Sequence, residues 1–324
     1  MRTVLHAGDQ DLDLVFQRSG LVPQNISDTQ IAAGFIGFGY PIGYGKLLAQ
    51  LLDISISKTE SFTDWTNRPL SDSQIAYALD DVRHLLALHD ALGKRLDSLG
   101  RKAWVEDECR RYCESGYYEK DRSRDFLRIK GASGLGRRGL AVLKELSDWR
   151  HGEAADSNRP LKSILADNLM IEFAKHPPKR IGDIQKIRGV RPDQLKHHGN
   201  NVLQAVENAL KQPESTWPSW PTGRIPTRRE VICADMLFAL MKVMIYDLDL
   251  APELVATRSS LEALVRLHAD NSLENTKLPL LHGWRRELVG NKLVEILNGS
   301  TCSLRFSSRE APIDLEVNNK GLGR

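Results

Sequence analysis

The stretch QIAYALDDVRHLL, residues 74–86, sets Tyr77 four positions before Asp81. Ile75, Ala76, Ala78, Leu79, Val82, Leu85 and Leu86 recur near the 3.6-residue period, so an amphipathic helix is expected here. Side chains at i and i+4 share a helical face, and the phenol and the carboxylate therefore project together. That pairing suits hydrolysis of a phosphodiester by two divalent ions, in which a carboxylate ligates while a phenol one turn away hydrogen-bonds the attacking water. A neutral tyrosine is a poor general base near pH 7, which leaves orientation of the water as its role. Hard carboxylate oxygens select Mg²⁺ or Mn²⁺ over softer metals. Tyr-x-x-x-Asp is also a frequent chance pattern, and alone it reads as a packing tyrosine beside a solvated acid. Asp80 falls on a different face and is expected to be solvated.

The elements that must hold this pair alternate between strand and helix. RTVLHAG reads as a short strand entering a small-residue turn, and DQDLDLVFQRSG as a helix with acids at its N-terminus and a glycine stop. PQNISDTQIAAGFIGFG reads as an extended piece leading into a second helix, and YGKLLAQLLD as a third. The polar loop ISKTESFTDWTNRPL follows, and Ser71 then offers an N-cap. Such alternation belongs to an α/β domain.

After residue 100 strand signals nearly vanish. Residues 101–137 read as a helical connector, RKAWVEDECRRYCESGYYEKD, followed by a glycine-punctuated linker, RSRDFLRIKGASGLGRRG. Residues 138–213 hold several helical patterns, and the proline-rich 214–226 is expected to be an interdomain linker. Helical patterning returns over 227–298, and 299–324 turns polar, as a loose tail.

Length and composition narrow the class. A chain of 324 residues with 41% hydrophobic and 27% charged content is that of a globular protein of two or three domains. No run approaches the ~18 apolar residues of a membrane span, and the start has no apolar h-region, so a cytoplasmic location is expected. Cys109, Cys113, Cys233 and Cys302 show no metal-ligand spacing and read as reduced thiols. The net charge of +3 conceals an asymmetry. Residues 1–100 carry 8 Lys and Arg against 12 Asp and Glu, whereas residues 101–215 carry 23 against 17. An acidic segment followed by a basic one suits a metal site beside a nucleic-acid surface, and equally suits solvated helices.

LHAGDQDLDLVF, SDTQIAAGF, KTESFTDWTNRPLSDSQIAYALDDV and LLHGWRRELVG, in that order, resemble bacterial ribonuclease D. The resemblance runs from about residue 4 to residue 298. It implies a partial ribonuclease H-like α/β exonuclease domain over 1–100, followed by all-α bundles, for a mostly helical chain. It further implies a 3′-to-5′ exoribonuclease of the four-acid type, releasing nucleoside 5′-monophosphates from tRNA and other structured RNA precursors with two Mg²⁺ or Mn²⁺ ions. By the family pattern the metal ligands are Asp11 (from HAG-x-x-D-L) and Asp81, and Tyr77 completes the catalytic set. Asp9 and Asp13 are not assigned. His6 either touches substrate or packs at the strand end, and Arg68 either pairs within its loop or meets a phosphate.

LKELSDWR, NRPLKSILADNLMIEFAKHPP, IGDIQKIRGV and HHGNNVLQAVENAL resemble the helicase-and-ribonuclease-D C-terminal (HRDC) domain, a nucleic-acid contact module, over 138–213. Residues 227–298 resemble a second, divergent copy, expected as a bundle packed against the first. Lys186, Arg188, Arg191 and Lys196 surround a glycine-containing turn that either receives RNA phosphates or is a solvated basic face. Only 6% of the residues are aromatic, which favours recognition by shape and phosphate over base stacking.

The family's first acidic motif, Asp-x-Glu, is not found ahead of HAG. Asp28-Thr29-Gln30 is a decoy, since Gln30 brings no carboxylate, and Asp314-x-Glu316 near the end reads as a chance pair. The Thr3–His6 strand is expected to expose an unpaired edge. Two readings follow: the natural protein starts upstream of Met1, or the chain is a catalytically dead RNA-binding remnant. The presence of Asp11, Tyr77 and Asp81 favours the first. On either reading the chain as written is expected to hydrolyse RNA weakly or not at all. A DNA-directed exonuclease is a third possibility, because two-metal chemistry needs no 2′-hydroxyl.

Overall fold

Thr3–Leu5 (β1) runs parallel to Ile26–Asp28 (β2), with Thr3 opposite Ile26 and Leu5 opposite Asp28. The computed structural model describes residues 1–56, 60, 63–119, 122–220, 226–274, 276–305 and 314–318. A parallel pair needs a crossover, and helix Asp9–Ser19 (α1) provides it. α1 ends where Gly20, at φ 68°, turns its N–H back to Phe16 O. No other strand pairs with β1 among the described residues. Helices α2 (Thr29–Gly34), α3 (Tyr44–Leu52), α4 (Asp72–Arg83), α5 (Leu85–Ser98), α6 (Lys102–Arg110) and α7 (Ser115–Tyr118) follow.

The chain divides into two compact units, Met1–Glu119 with Ile225–Arg324, and Lys120–Arg224. The second unit is helical: α8 (Arg137–Ser157), α9 (Leu161–Ile164), α10 (Asp167–Lys175), α11 (Ile181–Gln185) and α12 (Pro192–Lys211). Leu140, Leu143, Leu146, Met170, Phe173 and Val206 fill its core. The expected glycine-rich linker at 122–135 is instead part of this unit. Two 3₁₀ turns, Arg122–Arg128 and Ala132–Gly134, bury Phe126, Ile129, Ala132 and Leu135 in the same core. The expected proline-rich linker also begins attached. Arg137 Nη2 donates to the carbonyls of Glu214 (2.8 Å), Ser215 (3.3 Å) and Trp217 (3.0 Å).

The C-terminal helices are α13 (Arg228–Met244), α14 (Pro252–Val255), α15 (Arg258–Ala269), α16 (Gly283–Arg285) and α17 (Asn291–Leu297), with a π turn at Arg286–Gly290. They do not close a core of their own, contrary to the expectation of a separate bundle at 227–298. Their apolar residues continue the core of residues 1–119. The reason lies in three contacts. Gly34 leaves room for Leu254, whose Cδ1 would stand 2.6 Å from an added Cβ, and Gly34 O accepts the Ala251 N–H at 2.9 Å. Trp284 stacks on Trp104 and meets the edge of Phe35, each at 5.1 Å between ring centres. Buried Glu108 accepts from Trp284 Nε1 at 3.1 Å and pairs with both Arg285 terminal nitrogens, Nη2 at 2.8 Å.

The tail is not loose throughout. Thr301–Arg305 (β3) and Asp314–Asn318 (β4) form an antiparallel pair, with Cys302 opposite Val317 and Leu304 opposite Leu315. Period-two spacing puts these four apolar residues on one face, and Cys302 and Leu315 pack against the core. Among the described residues no helix is long and apolar enough to cross a membrane.

Two outcomes test these packing arguments. Glu108→Ala strands the Arg285 guanidinium among buried groups, and urea unfolding should show a loss of about 3 kcal/mol. Cys109, 2% exposed, has its thiol pKa pushed up to about 11 by burial. The folded state therefore favours the protonated thiol, and the stability this contributes is intact below the ordinary thiol pKa and lost as pH rises through about 11. Unfolding midpoints should fall across that window in the native protein and less so in Cys109→Ala.

Candidate active site

One buried carboxylate builds the turn that precedes α1. Asp28, 1% exposed at the end of β2, accepts N–H bonds from Ala7 (3.1 Å), Gly8 (3.2 Å) and Gln30 (2.8 Å). It thereby caps α2 and fixes the HAG turn in a single geometry, with Ala7 held at φ 56°. Its own N–H reaches Cys109 Sγ at 3.4 Å. The decoy acid of the sequence is thus structural, and Gln30 spends its amide on Ile42 O at 2.8 Å.

His6 is held inside the fold. Nε2–H donates to Ile42 O at 2.9 Å, and Nδ1 lies 3.0 Å from Thr29 Oγ1. Burial holds its pKa below the ordinary value, so the ring is neutral near pH 7. Of the two roles left open for it, packing at the strand end is the one these bonds describe.

The three acids at the start of α1 separate by partner. Asp9 accepts the Tyr117 hydroxyl, and Asp13 contributes to the charge around Tyr118 on the same side of the helix. Asp11, two residues from each, points to a different face. It is exposed, and no hydrogen bond or ion pair holds it among the described residues.

Helix α4 places the other two. Ser71 caps it through the Gln74 N–H, and the Gln74 side chain returns to the Ser71 N–H. Buried Gln74 also donates to Thr63 Oγ1 (3.3 Å) and Asp64 O (3.2 Å), which seats the preceding loop on the helix. Trp65 then lies 5.8 Å from the half-buried Tyr77 ring. Arg68 folds back on that loop, donating to Trp65 O (2.9 Å) and Asn67 O (2.8 Å). Asp80 is taken by Arg83 at 3.0 Å. Asp81, one turn beyond Tyr77, has no hydrogen bond or ion pair among the described residues. Partial desolvation, and then the Asp80 charge, hold its pKa above the ordinary carboxylate value. Contrary to the single helix expected over 74–86, α4 ends at Arg83 and α5 begins at Leu85, with His84 as the break.

Tyr44 opens α3 beside the HAG turn. Its ring lies 5.4 Å from that of His6, and its hydroxyl feels the charges of Asp81 and Asp80. Sequence reasoning passed over Tyr44 and the bonding role of Asp28. The Asp before a helical run was a legible cap signal, whereas nothing local marks Tyr44.

A divalent ion fits this donor set in chemistry and only half in number. Asp11 and Asp81 offer uncommitted hard oxygens. Among the described residues no three His, Cys, Asp or Glu side chains converge on one point. Glu316, of the Asp314-x-Glu316 pair, lies exposed on β4 opposite Ser303. On the helical unit, Lys186, Arg188, Arg191 and Lys196 are all exposed around the start of α12.

Removing the Asp28 carboxylate should loosen the turn before it touches anything else. Asp28→Ala is expected to lose about 2–4 kcal/mol of stability, from three charge-assisted bonds and a helix cap. Asp28→Asn, which keeps one acceptor oxygen, should lose roughly half that in the same denaturant titration.

Residues 1–97 match the 3′-5′ exonuclease family, and residues 139–206 the HRDC domain. Ribonuclease D of Zymomonas mobilis is 32% identical over 323 residues, 98% of this chain and 79% of that protein. Ribonuclease D of Gluconacetobacter diazotrophicus is 34% identical, over 91% of this chain and 74% of that protein. The crystal structure of Escherichia coli RNase D superposes with a TM-score of 0.73 at 28% identity, covering 91% of this chain and 78% of that one. The exonuclease fold of RNase D implies use of divalent metal ions, and an RNase D family member acts on RNA. With the turn, the free acids and the helical unit in place, the chain belongs to the ribonuclease D family of 3′-5′ exoribonucleases.

Proposed function

We propose that Asp11 and Asp81 are metal ligands and Tyr77 the residue that orients the attacking water, in removal of nucleotides from RNA 3′ ends. The observation that carries this reading is the partition of the acids. Asp9 and Asp80 are engaged by Tyr117 and Arg83, while Asp11 and Asp81 are held by no hydrogen bond or ion pair among the described residues. A carboxylate that is to ligate must not already be spent on a cation. Bound Mg²⁺ or Mn²⁺ supplies Lewis-acid charge stabilisation and a lowered water pKa. Tyr77, supported by Trp65, presents its phenol one turn from Asp81 and sets the direction of the water. Its O–H is a donor at neutral pH, so it orients and does not deprotonate.

The substrate class proposed is the 3′ end of tRNA precursors and other structured RNAs, with nucleoside 5′-monophosphates as products. Escherichia coli RNase D is described as an exoribonuclease involved in structured RNA processing. The exposed basic residues at the start of α12 suit backbone phosphates. We further propose 1–100 as the exonuclease part and 138–213 as the HRDC part, with RNA contact assigned to the latter. The lack of any three-ligand cluster among the described residues gives a second reading, an RNA-binding protein without turnover.

The 324-residue chain should be assayed with Mn²⁺ on an RNA carrying a 3′ extension. Turnover is expected orders of magnitude below that of the Zymomonas mobilis enzyme, because each 1.36 kcal/mol of lost clamping is tenfold in rate. What turnover there is should vanish in Asp81→Asn and fall roughly 10- to 100-fold in Tyr77→Phe. Turnover untouched by Asp81→Asn sinks the site assignment. RNA binding with no turnover at all selects the second reading, and equal degradation of DNA removes the preference for RNA.

A further inference from the structure

A cavity of about 420 Å³ opens in the second unit, where α8 ends and α12 begins. Asn158, at φ 51°, stops α8, Pro160 caps α9 and Pro192 opens α12, so three helix ends contribute to one lining. The volume is that of a small-ligand site. Glu153, Arg159, Ser163, Arg191, Gln194 and His198 are among the residues around it.

These groups sort by what each still has to offer. Arg159 makes no side-chain hydrogen bond or ion pair among the described residues. Arg191 stands 3.6 Å from Asp193, both well exposed, a pairing worth little against a bound anion. The first turn of α12, a 20-residue helix, adds to the positive side of the cavity. Three other groups present acceptors. Ser163 spends its O–H on Pro160 O at 2.7 Å and keeps its lone pairs. Gln194 Nε2 donates to Ile164 O at 3.4 Å and leaves its amide oxygen open. The half-buried Glu153 carboxylate accepts no hydrogen bond among the described residues, because His198 Nδ1 is 3.9 Å away, too far for one. That nitrogen is buried without a partner, and Trp149 lies edge-on to the ring at 5.7 Å. A buried nitrogen left unmet is rare in native proteins.

Two guanidinium groups beside a set of open acceptors call for a ligand that is anionic at one end and rich in donors at the other. An unpaired ribonucleotide has that character, with its phosphate for the arginines and its 2′-hydroxyl as a donor. Among the bases, guanine sets N1–H and N2–H₂ side by side, which matches the two oxygens of one carboxylate. The other three bases place an acceptor within that edge. We infer that this cavity binds an unpaired guanosine of an RNA strand, with Arg159 and Arg191 on phosphate and Glu153 on the base edge. The inference rests on the proposed assignment of RNA contact to residues 138–213.

The test uses the full chain and a short labelled oligouridine carrying one central guanosine, beside the same strand with adenosine there. Binding is read by fluorescence anisotropy in EDTA, which prevents turnover. The wild type should bind the guanosine strand about tenfold more tightly. Glu153→Gln should bring that strand down to the adenosine one and leave the latter unchanged. Arg159→Ala should weaken both alike and lower the salt dependence by about one phosphate contact. Equal affinities for the two strands in the wild type, or loss of both alike in Glu153→Gln, overturns the inference. Displacement by guanosine 5′-monophosphate as strong as by the strand makes the free nucleotide the ligand and overturns the assignment to RNA. Wild-type behaviour of both variants, beside weakened binding in Lys196→Ala outside the cavity, overturns the cavity and leaves RNA contact with residues 138–213. No RNA binding by the wild type overturns both.

Discussion

The Asp28 carboxylate is the constraint on which the rest of this site depends. It gathers N–H groups from the HAG turn and from the start of α2, two segments that meet only because β1 and β2 are paired. Fixing Ala7 and Gly8 fixes where α1 begins, and hence where its acids point. His6, one residue ahead, is locked by the same region through Thr29 and Ile42. Asp28 therefore contributes geometry to the chemistry without touching it. A charge buried this deeply is tolerated because three donors surround it.

The second constraint joins distant parts of the chain. Residues 1–119 carry a parallel pair of only three residues per strand, too little sheet for a sizeable core. The C-terminal helices complete that core, and the Glu108–Arg285–Trp284 cluster marks the join with directional bonds in place of apolar contact alone. Arg285 also donates to Leu254 O (2.7 Å) and Val255 O (3.1 Å), so a single guanidinium orders α14 and α16 against α6. A buried ion pair is a weak source of net stability and a stronger source of register. Here it sets how one helical segment meets the other.

Much of this was legible in the sequence, for identifiable reasons. The Ser71 cap, the Gln74 return and the i, i+4 spacing of Tyr77 and Asp81 are local signals, and α4 follows from them. The 122–135 stretch was misread because Gly131 and Gly134 look like punctuation. Of its buried residues, Phe126 sits in a 3₁₀ turn, and Ile129 and Leu135 each follow the end of one, with no helical or strand period. The terminal β3–β4 pair was missed for a different reason: two short, polar strands gain their meaning only from a partner. Periodicity also says nothing about what covers a face. Ile75, Leu79, Val82 and Leu86 follow the helical spacing, yet stay 45%, 50%, 58% and 67% exposed.

That exposed stripe sharpens the reading of the acids. A helix with an unburied apolar face gains little from packing, so capping and ion pairing weigh more in holding α4. Asp80 and Arg83 form such a pair at i, i+3, and Asp81 next to them does not. Partial desolvation, and then the charge of the adjacent Asp80, raise the Asp81 pKa and make its ionised form more costly than that of an isolated surface aspartate. Among the described residues no cation and no hydrogen bond offsets that cost. On α1 the arrangement repeats, with Asp9 given to Tyr117 and Asp11 left open. Among the described residues two helices thus each pair one acid, Asp9 or Asp80, and leave another, Asp11 or Asp81, without a hydrogen bond or ion pair.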